Sequence, residues 1–286
     1  MQTINKIGNS FLYMTPVSET DRPILGMVVG KEKRLMIDAG NSEAHALLFL
    51  KMLEEQNVGS PEMVVLTHWH WDHIFGLSAL KDSVSISSKE TKGEIEKLMP
   101  LVWTDEALDE RVKEGTEIEF CASCIKNEFV DHRNIHITLP QVVFDNELEI
   151  DLGGVTCVLK HVGGDHASDS VVIYIKEEKI LFLADSIYPD IFSPKRNYTT
   201  KRTKELAAIL EQFDAETYIL SHWKPISRTE FNNEMQLLKT VADYTEKYNG
   251  DAEQIKSEYA RALNRDLNED ESETIEYFVN GFELKR

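Results

Sequence analysis

The chain lacks any apolar run approaching the ~20 residues that a membrane helix needs, so neither a bilayer span nor a membrane partner is expected. Its first residues lack a basic segment followed by an apolar core, so no secretory signal is expected. Cysteine is scarce. Three cysteines are an odd number for a disulfide framework and suit a reducing, cytoplasmic setting. Cys121 and Cys124 form a single Cys-x-x-Cys with no second pair to complete a metal site, so they read as reduced thiols on a partly buried helix. Basic residues are also in short supply: 31 Lys and Arg stand against 50 Asp and Glu, a net charge of −19. A phosphate backbone requires a basic track, so nucleic acid is excluded as a partner. Internal repeats and low-complexity segments are absent as well.

What is present is 286 residues at 42% hydrophobic content, enough for a large core in one big domain or a domain with an appendage. Association into a homo-oligomer stays open. The chain is organised around Val64-Val65-Leu66-Thr67-His68-Trp69-His70-Trp71-Asp72-His73. The apolar triplet reads as a short buried strand, and Gly76 and Leu77 suggest a helix starting near His73. On the turn between them, His68 and His70 lie two apart and can point the same way. Asp72 and His73 can then face a second position close by. Imidazole and carboxylate together suit zinc and its borderline neighbours, so this spacing predicts two adjacent divalent ions.

Upstream, residues 3–7, 11–16, 24–30 and 33–38 read as strands separated by turn residues, among them Asp21-Arg22-Pro23. Ser42 starts a helix that carries His45, expected at or near the surface. Strand–helix–strand alternation to residue 86 signals a layered α/β fold. Residues 88–133 break that rhythm with three amphipathic helices, a helical insertion whose Leu98, Met99, Trp103 and Phe120 are candidates to face a substrate. His132 and His136 flank its return, His136 in an alternating strand Ile135-His136-Ile137. Further strands follow at 142–144, 147–151, 154–160, 171–175, 179–184 and 217–220, the last of the set. Ser227 and Glu230 have capping-box spacing ahead of the first of three helices in 227–286, read as a helical extension beyond a main domain of 1–226.

The segment His68-x-His70-x-Asp72-His73 after an apolar strand resembles the signature of the metallo-β-lactamase superfamily, and the pattern of elements extends the resemblance over about 1–226. The resemblance implies a four-layer αββα fold. It places a third histidine of the first ion at His166, in His161-Val162-Gly163-Gly164-Asp165-His166-Ala167-Ser168-Asp169-Ser170, with His161 as an outer neighbour. It implies that Asp185, ending an apolar strand, bridges two metals, and that His222 completes the second ion's set with Asp72 and His73. It also implies that Asp38, before Gly40, supports the metal loop from behind. A carboxylate or carbonyl on a ligating histidine's far nitrogen is the usual arrangement.

Each ion would keep open positions, the mark of a catalytic site, and a water shared by two cations should lose its proton near neutral pH and become the nucleophile. Asp72 would have a second task as proton acceptor. Lactamases of the superfamily generally lack the bridging aspartate, and its flavodiiron members carry glutamate at the position of His70. What remains is similar to the glyoxalase II and lactonase branches. The expectation is a metal-dependent hydrolase of a small ester, thioester or lactone, with two ions, zinc first and iron or manganese as alternatives. Tyr188 stands where lactonase relatives place an oxyanion-assisting tyrosine. A phosphodiesterase and a one-iron, persulfide-dioxygenase-like oxidoreductase are the competing readings. Five basic residues between Lys195 and Lys204 are anomalous in so acidic a chain. With Lys224, two positions after His222, we read Lys195, Arg196 and Arg202 as attracting a carboxylate or phosphate on a small anionic substrate. A solvated loop is the plainer reading.

Overall fold

The computed structural model describes residues 2–130 and 133–284. His132 lies outside them. The first sheet has seven strands in chain order: β1 (Ile4–Ile7), β2 (Phe11–Met14), β3 (Leu25–Val29), β4 (Arg34–Ile37), β5 (Met63–Val65), β6 (Val84–Ser88) and β7 (Val142–Phe144). The first four form an antiparallel meander, and β4 to β7 run parallel. The parallel steps are made by crossovers: α1 (Glu43–Glu54), a single turn α2 (Trp71–Ile74) continued as a 3-10 helix, and the trio α3 (Lys89–Leu98), α4 (Asp105–Glu114) and α5 (Glu119–Glu128). The second sheet contains β8 (Glu147–Asp151), β9 (Thr156–His161), β10 (Val171–Ile175), β11 (Ile180–Ala184), β12 (Thr217–Leu220) and β13 (Pro225–Ser227). Its spatial order is β13-β12-β11-β10-β9-β8, antiparallel except where β11 meets β12. Helices α6 (Thr200–Leu210), α7 (Arg228–Lys247), α8 (Ala252–Leu263) and α9 (Glu269–Glu283) complete the α-helices of the described residues.

Why the strands read as unbroken apolar runs is clear from their two faces. In β4, Leu35 and Ile37 point into the core between the sheets while Met36 points to the opposite side. In β11, Phe182 and Ala184 face that same central core, and Leu181 and Leu183 face outward. The outer face of the first sheet is covered by Phe49 and Leu53 of α1 and by Ile95, Leu108 and Ile125 of α3 to α5. That of the second is covered by Leu206 and Leu210 of α6, Phe231, Met235 and Leu238 of α7, and Ile275 and Phe278 of α9. Each such side chain contributes ~1.5–3 kcal/mol by leaving water. The result is helices, sheet, sheet, helices: the four-layer αββα arrangement, with a helical extension packed on its second half.

The structure departs from the sequence reading in several places. Strand β13 follows 217–220 as a short edge strand opening on a proline, whose missing N–H is harmless at an edge. Residues 133–140 form no strand, although His136 is exposed as an alternating segment would have it. His45 is fully buried, its Nε2 3.4 Å from Gln2 Nε2. Ser227 and Glu230 do close a reciprocal capping box at the start of α7. No helix of the described residues is long and apolar enough to cross a membrane.

Gly76 shows how tightly the metal-loop turn is seated. A Cβ there would lie 2.0 Å from the Ala39 carbonyl oxygen and 2.7 Å from that of Ser42, both backbone atoms that cannot swing away. Its own N–H donates to the Gly40 carbonyl at 2.9 Å. Gly76→Ala should therefore cost ~1–3 kcal/mol or more in chemical denaturation. Gly93→Ala, inside α3 with open space around it, should instead stabilise by about 0.5–1 kcal/mol. Equal effects of the two would show that the close approach at Gly76 is not what holds this turn.

Candidate metal centre

The ends of four strands converge on one rim of the sandwich. Residues after β5 carry His68 to His73, and the β9–β10 loop carries His166. Asp185 follows β11, and His222 follows β12. A hydrogen bond from Val171 N–H to the Thr67 carbonyl, 2.8 Å, ties the two sheets together at this point. Two backbone positions at the rim have φ in the left-handed region, Asp38 at 61° and Ala184 at 49°. Such residues cost ~1–3 kcal/mol each and persist only where surrounding packing enforces them. The β11–β12 register also shifts between Phe182 and Ala184, a bulge that re-aims the following residue, Asp185.

The seven residues expected to bind metal come together as two groups, His68 with His70 and His166, and Asp72 with His73, Asp185 and His222. Within each group, one ligand atom per residue lies within 4.8 Å of the others. All but His222 are buried. Their orientation is fixed from outside. Asp38 accepts from Thr67 N–H at 2.8 Å and from the Thr67 hydroxyl at 2.9 Å, and its Oδ2 lies 2.8 Å from His73 Nδ1. Thr67 Oγ1 in turn lies 3.0 Å from His68 Nδ1. His166 Nδ1 donates to the Pro189 carbonyl at 3.1 Å, and His222 Nδ1 sits 3.3 Å from Asp21 Oδ1. In each of these four histidines the far nitrogen is occupied, so the Nε2 lone pair is directed inward.

Do these residues fit metal ions? Three buried atoms of the cluster have no hydrogen-bond partner: His166 Nε2, Asp72 Oδ2 and Asp185 Oδ1; His70 turns its Nδ1 inward, 3.0 Å from His68 Nε2. Asp72 Oδ2 is only 2.9 Å from His73 Nε2 and 3.1 Å from His222 Nε2, but outside hydrogen-bonding geometry. A buried polar atom without a partner costs ~1–3 kcal/mol, and a concentration of them at one point suits cations that would take those lone pairs. The donor set, imidazoles plus two carboxylates, is that of zinc and its neighbours. The residues fit.

Electrostatics follow from the same packing. Burial, helped by neighbouring imidazoles, pushes His68 and His70 well below the usual histidine range. Burial acts the same way on His73 and His222, but it is outweighed by Asp72 and Asp38 around His73 and by Asp185 and Asp72 around His222. Both rise well above their usual value. Burial alone would raise the Asp185 carboxyl; His222 and His73 hold it well below the carboxylate range. Binding cations requires those imidazoles to give up their protons.

The remaining expected residues divide. Tyr188 lies beside the cluster, its ring centroid 6.0 Å from His166 and 6.5 Å from His222. His161 does not support a ligand: its Nε2 donates to the Ser168 carbonyl at 2.9 Å and faces Glu90 at 3.5 Å, because the loop turns away after β9. The basic run is largely engaged elsewhere. Lys195 pairs with Glu283 at 3.6 Å, and Arg202 reaches the Gly164 carbonyl at 3.4 Å. Lys201 pairs with Glu205, and Lys204 with Asp243 and Glu246. Lys224 flanks His222 but turns its ammonium to Glu230 at 3.4 Å. Only Arg196 lines the recess of about 440 Å³ that holds His166, His222 and Tyr188 in its wall. Of the insertion, Phe120 reaches this recess, whereas Leu98 is core, Trp103 packs on Phe75 and Met99 is exposed.

Asp21 went unrecognised in the sequence. It reads there as a turn residue, and no spacing links it to a histidine 201 positions later. Burial and the nearby Asp72 push its carboxyl up to about 7. Asp38 was legible through the resemblance to the superfamily, which has an aspartate at this place before a glycine. Asp38→Asn keeps the left-handed backbone, which Asn tolerates, but gives up the charged acceptor of Thr67 and His73. Zinc affinity measured by competition with a chelator should fall about 10–100-fold. Unchanged affinity would make Asp38 a turn cap and nothing more.

The sequence profile of the metallo-beta-lactamase superfamily matches residues 22–222. No curated protein matches the sequence. Among solved structures, a metallo-beta-lactamase from Pontibacter korlensis is 18% identical with a TM-score of 0.58, covering 82% of this chain and 98% of that one. The DIM-1 metallo-beta-lactamase is 16% identical with a TM-score of 0.56 over 85% of this chain and 97% of its own. TMB-1 is likewise 16% identical at 0.56, over 86% and 98%. At such identities the likeness is one of fold. The profile match, spanning more than two thirds of the length and ending on His222, shows that the chain belongs to the metallo-beta-lactamase superfamily.

Proposed function

We propose that this protein is a two-metal hydrolase of a small ester, thioester or lactone. The observation that supports it most is the placement of Asp185. Its Oδ2 lies 3.5 Å from His166 Nε2 and 3.9 Å from His68 Nε2 on one side, and 3.3 Å from His73 Nε2 and 3.2 Å from His222 Nε2 on the other. A carboxylate so placed can serve two ions at the ~3.5–4 Å separation of dinuclear sites. Bound to these groups, divalent cations, zinc first, would supply Lewis acidity toward a water and toward the substrate's carbonyl oxygen.

The chain's own residues supply the rest. Asp72 is buried beside His73 and His222, which hold its carboxyl below the usual range without metal, and once those imidazoles give up their protons bound cations would take over that part. It is therefore an ionised acceptor for a proton in transit to the leaving group. Burial beside Asp185 keeps the Tyr188 phenol protonated, so its hydroxyl is a donor for an oxygen that gains charge. Asp38, Thr67, Asp21 and the Pro189 carbonyl hold the imidazoles in place. The phosphodiesterase reading leaned on a basic run that the fold largely pairs with acidic side chains. A one-metal oxygenase would leave the second donor group without a task. Three free, buried cysteines accord with the cytoplasm.

Chelated protein reloaded with metal should hold about two zinc ions per chain and turn over members of a panel of thioesters and lactones. Asp185→Asn should bind one ion fewer and lose turnover. One iron per chain with no hydrolysis, or hydrolysis of phosphodiesters alone, would sink the reading. Tyr188→Phe should lower kcat by about 10²-fold, the scale of a lost oxyanion donor, with KM little changed. An unchanged kcat would return Tyr188 to a packing role.

A further inference from the structure

His222 is the one candidate ligand that is not buried, so it depends most on what backs its outer nitrogen. That backing, Asp21, stands on the loop between β2 and β3, just after a single 3-10 turn, Ser18–Thr20. Its backbone there is left-handed, φ 53°, a conformation that persists where the surroundings hold it. Two hydrogen bonds between Val17 and Arg22, each 2.9 Å, close the loop. Asn41 Nδ2 donates to the Thr20 carbonyl at 2.7 Å, and beyond the loop Ile24 N–H donates to the carbonyl of Ser221, next to His222, also at 2.7 Å.

A further hold reaches the helical insertion. Arg22, adjacent to Asp21, grips Glu128 with two bonds, Nε to Oε2 at 3.0 Å and a terminal nitrogen to Oε1 at 2.7 Å. Its other terminal nitrogen donates to Gln2 Oε1 at 3.0 Å, and the Ser42 hydroxyl donates to Glu128 Oε1. We propose that Arg22 and Glu128 are positioning residues for the second metal ion: by docking the loop on α5 they keep Asp21 on His222 Nδ1, so that the insertion sets the affinity of one half of the centre. This rests on the two-metal reading above and not on the reaction proposed with it.

Glu128 is costly where it stands. It is the last residue of α5, where the helix dipole disfavours a carboxylate, and its side chain is only 2% exposed. A buried ion pair adds little net stability over an apolar pair of the same shape, and its best-attested use is to fix one arrangement. The arrangement fixed here is forked, which suits a guanidinium and not an ammonium, and it lies one residue along the chain from the carboxylate that touches His222. The other braced histidines are held by Thr67, Asp38 and the Pro189 carbonyl, none of which belongs to this loop. The effect is therefore confined to the ion that His222 serves.

Zinc uptake by the full chain, measured by competition with a chelator, should yield two constants, of which Asp21→Ala weakens the one belonging to the ion at His222. Glu128→Gln should weaken that same constant about tenfold and leave the other unchanged. Arg22→Lys, which keeps the charge and loses the fork, should do likewise. In the Asp21→Ala background Glu128→Gln should have no further effect, because it acts through Asp21. An equal loss in both backgrounds, or a loss shared by both ions, makes the pair a plain stabilising contact and overturns the proposal. So does zinc affinity that neither Glu128→Gln nor Arg22→Lys alters, or that Asp21→Ala leaves intact. A native chain that takes up only one zinc overturns it together with the two-metal reading. Expected zinc constants without turnover of any ester, thioester or lactone remove the hydrolase and leave the positioning pair standing.

Discussion

One carboxylate oxygen, Asp185 Oδ2, lies within 3.9 Å of four histidines drawn from both donor groups. Nothing in the chemistry of an isolated strand would keep such a charge at the end of a fully apolar run. Without metal it is compensated by His73 and His222, a part that bound cations would take over, and the bulge and the left-handed Ala184 before it aim it at them. The site therefore depends on a compensated buried charge held by backbone strain. Such groups are stable only inside a scaffold that cannot relax.

That scaffold is the pair of two-faced sheets. Their strands have apolar side chains on both sides, so each sheet is clamped between the central core and a helical layer. The metal-bearing segments are all continuations of these clamped strands, and the Thr67–Val171 backbone hydrogen bond joins them across the sandwich. Rigidity reaches the ligands through a second tier, Asp38, Thr67, Asp21 and the Pro189 carbonyl, each holding a far nitrogen. Asp38 bears on two of the ligating histidines at once, on His73 directly and on His68 by way of Thr67.

Much of this could be read from residues alone, for identifiable reasons. His68 to His73 are close in sequence, so their spacing carries geometry, and the apolar strands carry their own period. Asp185 and His222 were legible only through the resemblance to the superfamily, because a polar residue ending a buried strand is by itself ordinarily a cap. Asp21 was not, because its partnership with His222 is made only by folding. His161, expected to back a ligand from outside, instead donates to the Ser168 carbonyl, because a few residues of turn decide which way a histidine at a strand end faces. The basic run misled more instructively. Charge counted along a chain says nothing of the acids that folding brings beside it, and here Glu205, Asp243, Glu246 and Glu283 take up most of that charge.

The helices α7 to α9 stand outside the superfamily's profile, yet they bury Phe231, Met235, Leu238 and Phe278 against the second sheet and present Glu234 and Tyr277 to the recess. The candidate metal ligands and one wall of the recess beside them thus come from different stretches of one polypeptide, the former from strand ends and the latter from an appended layer. A lineage could exchange that layer, and with it that wall, while every atom that handles the cations remained where it was.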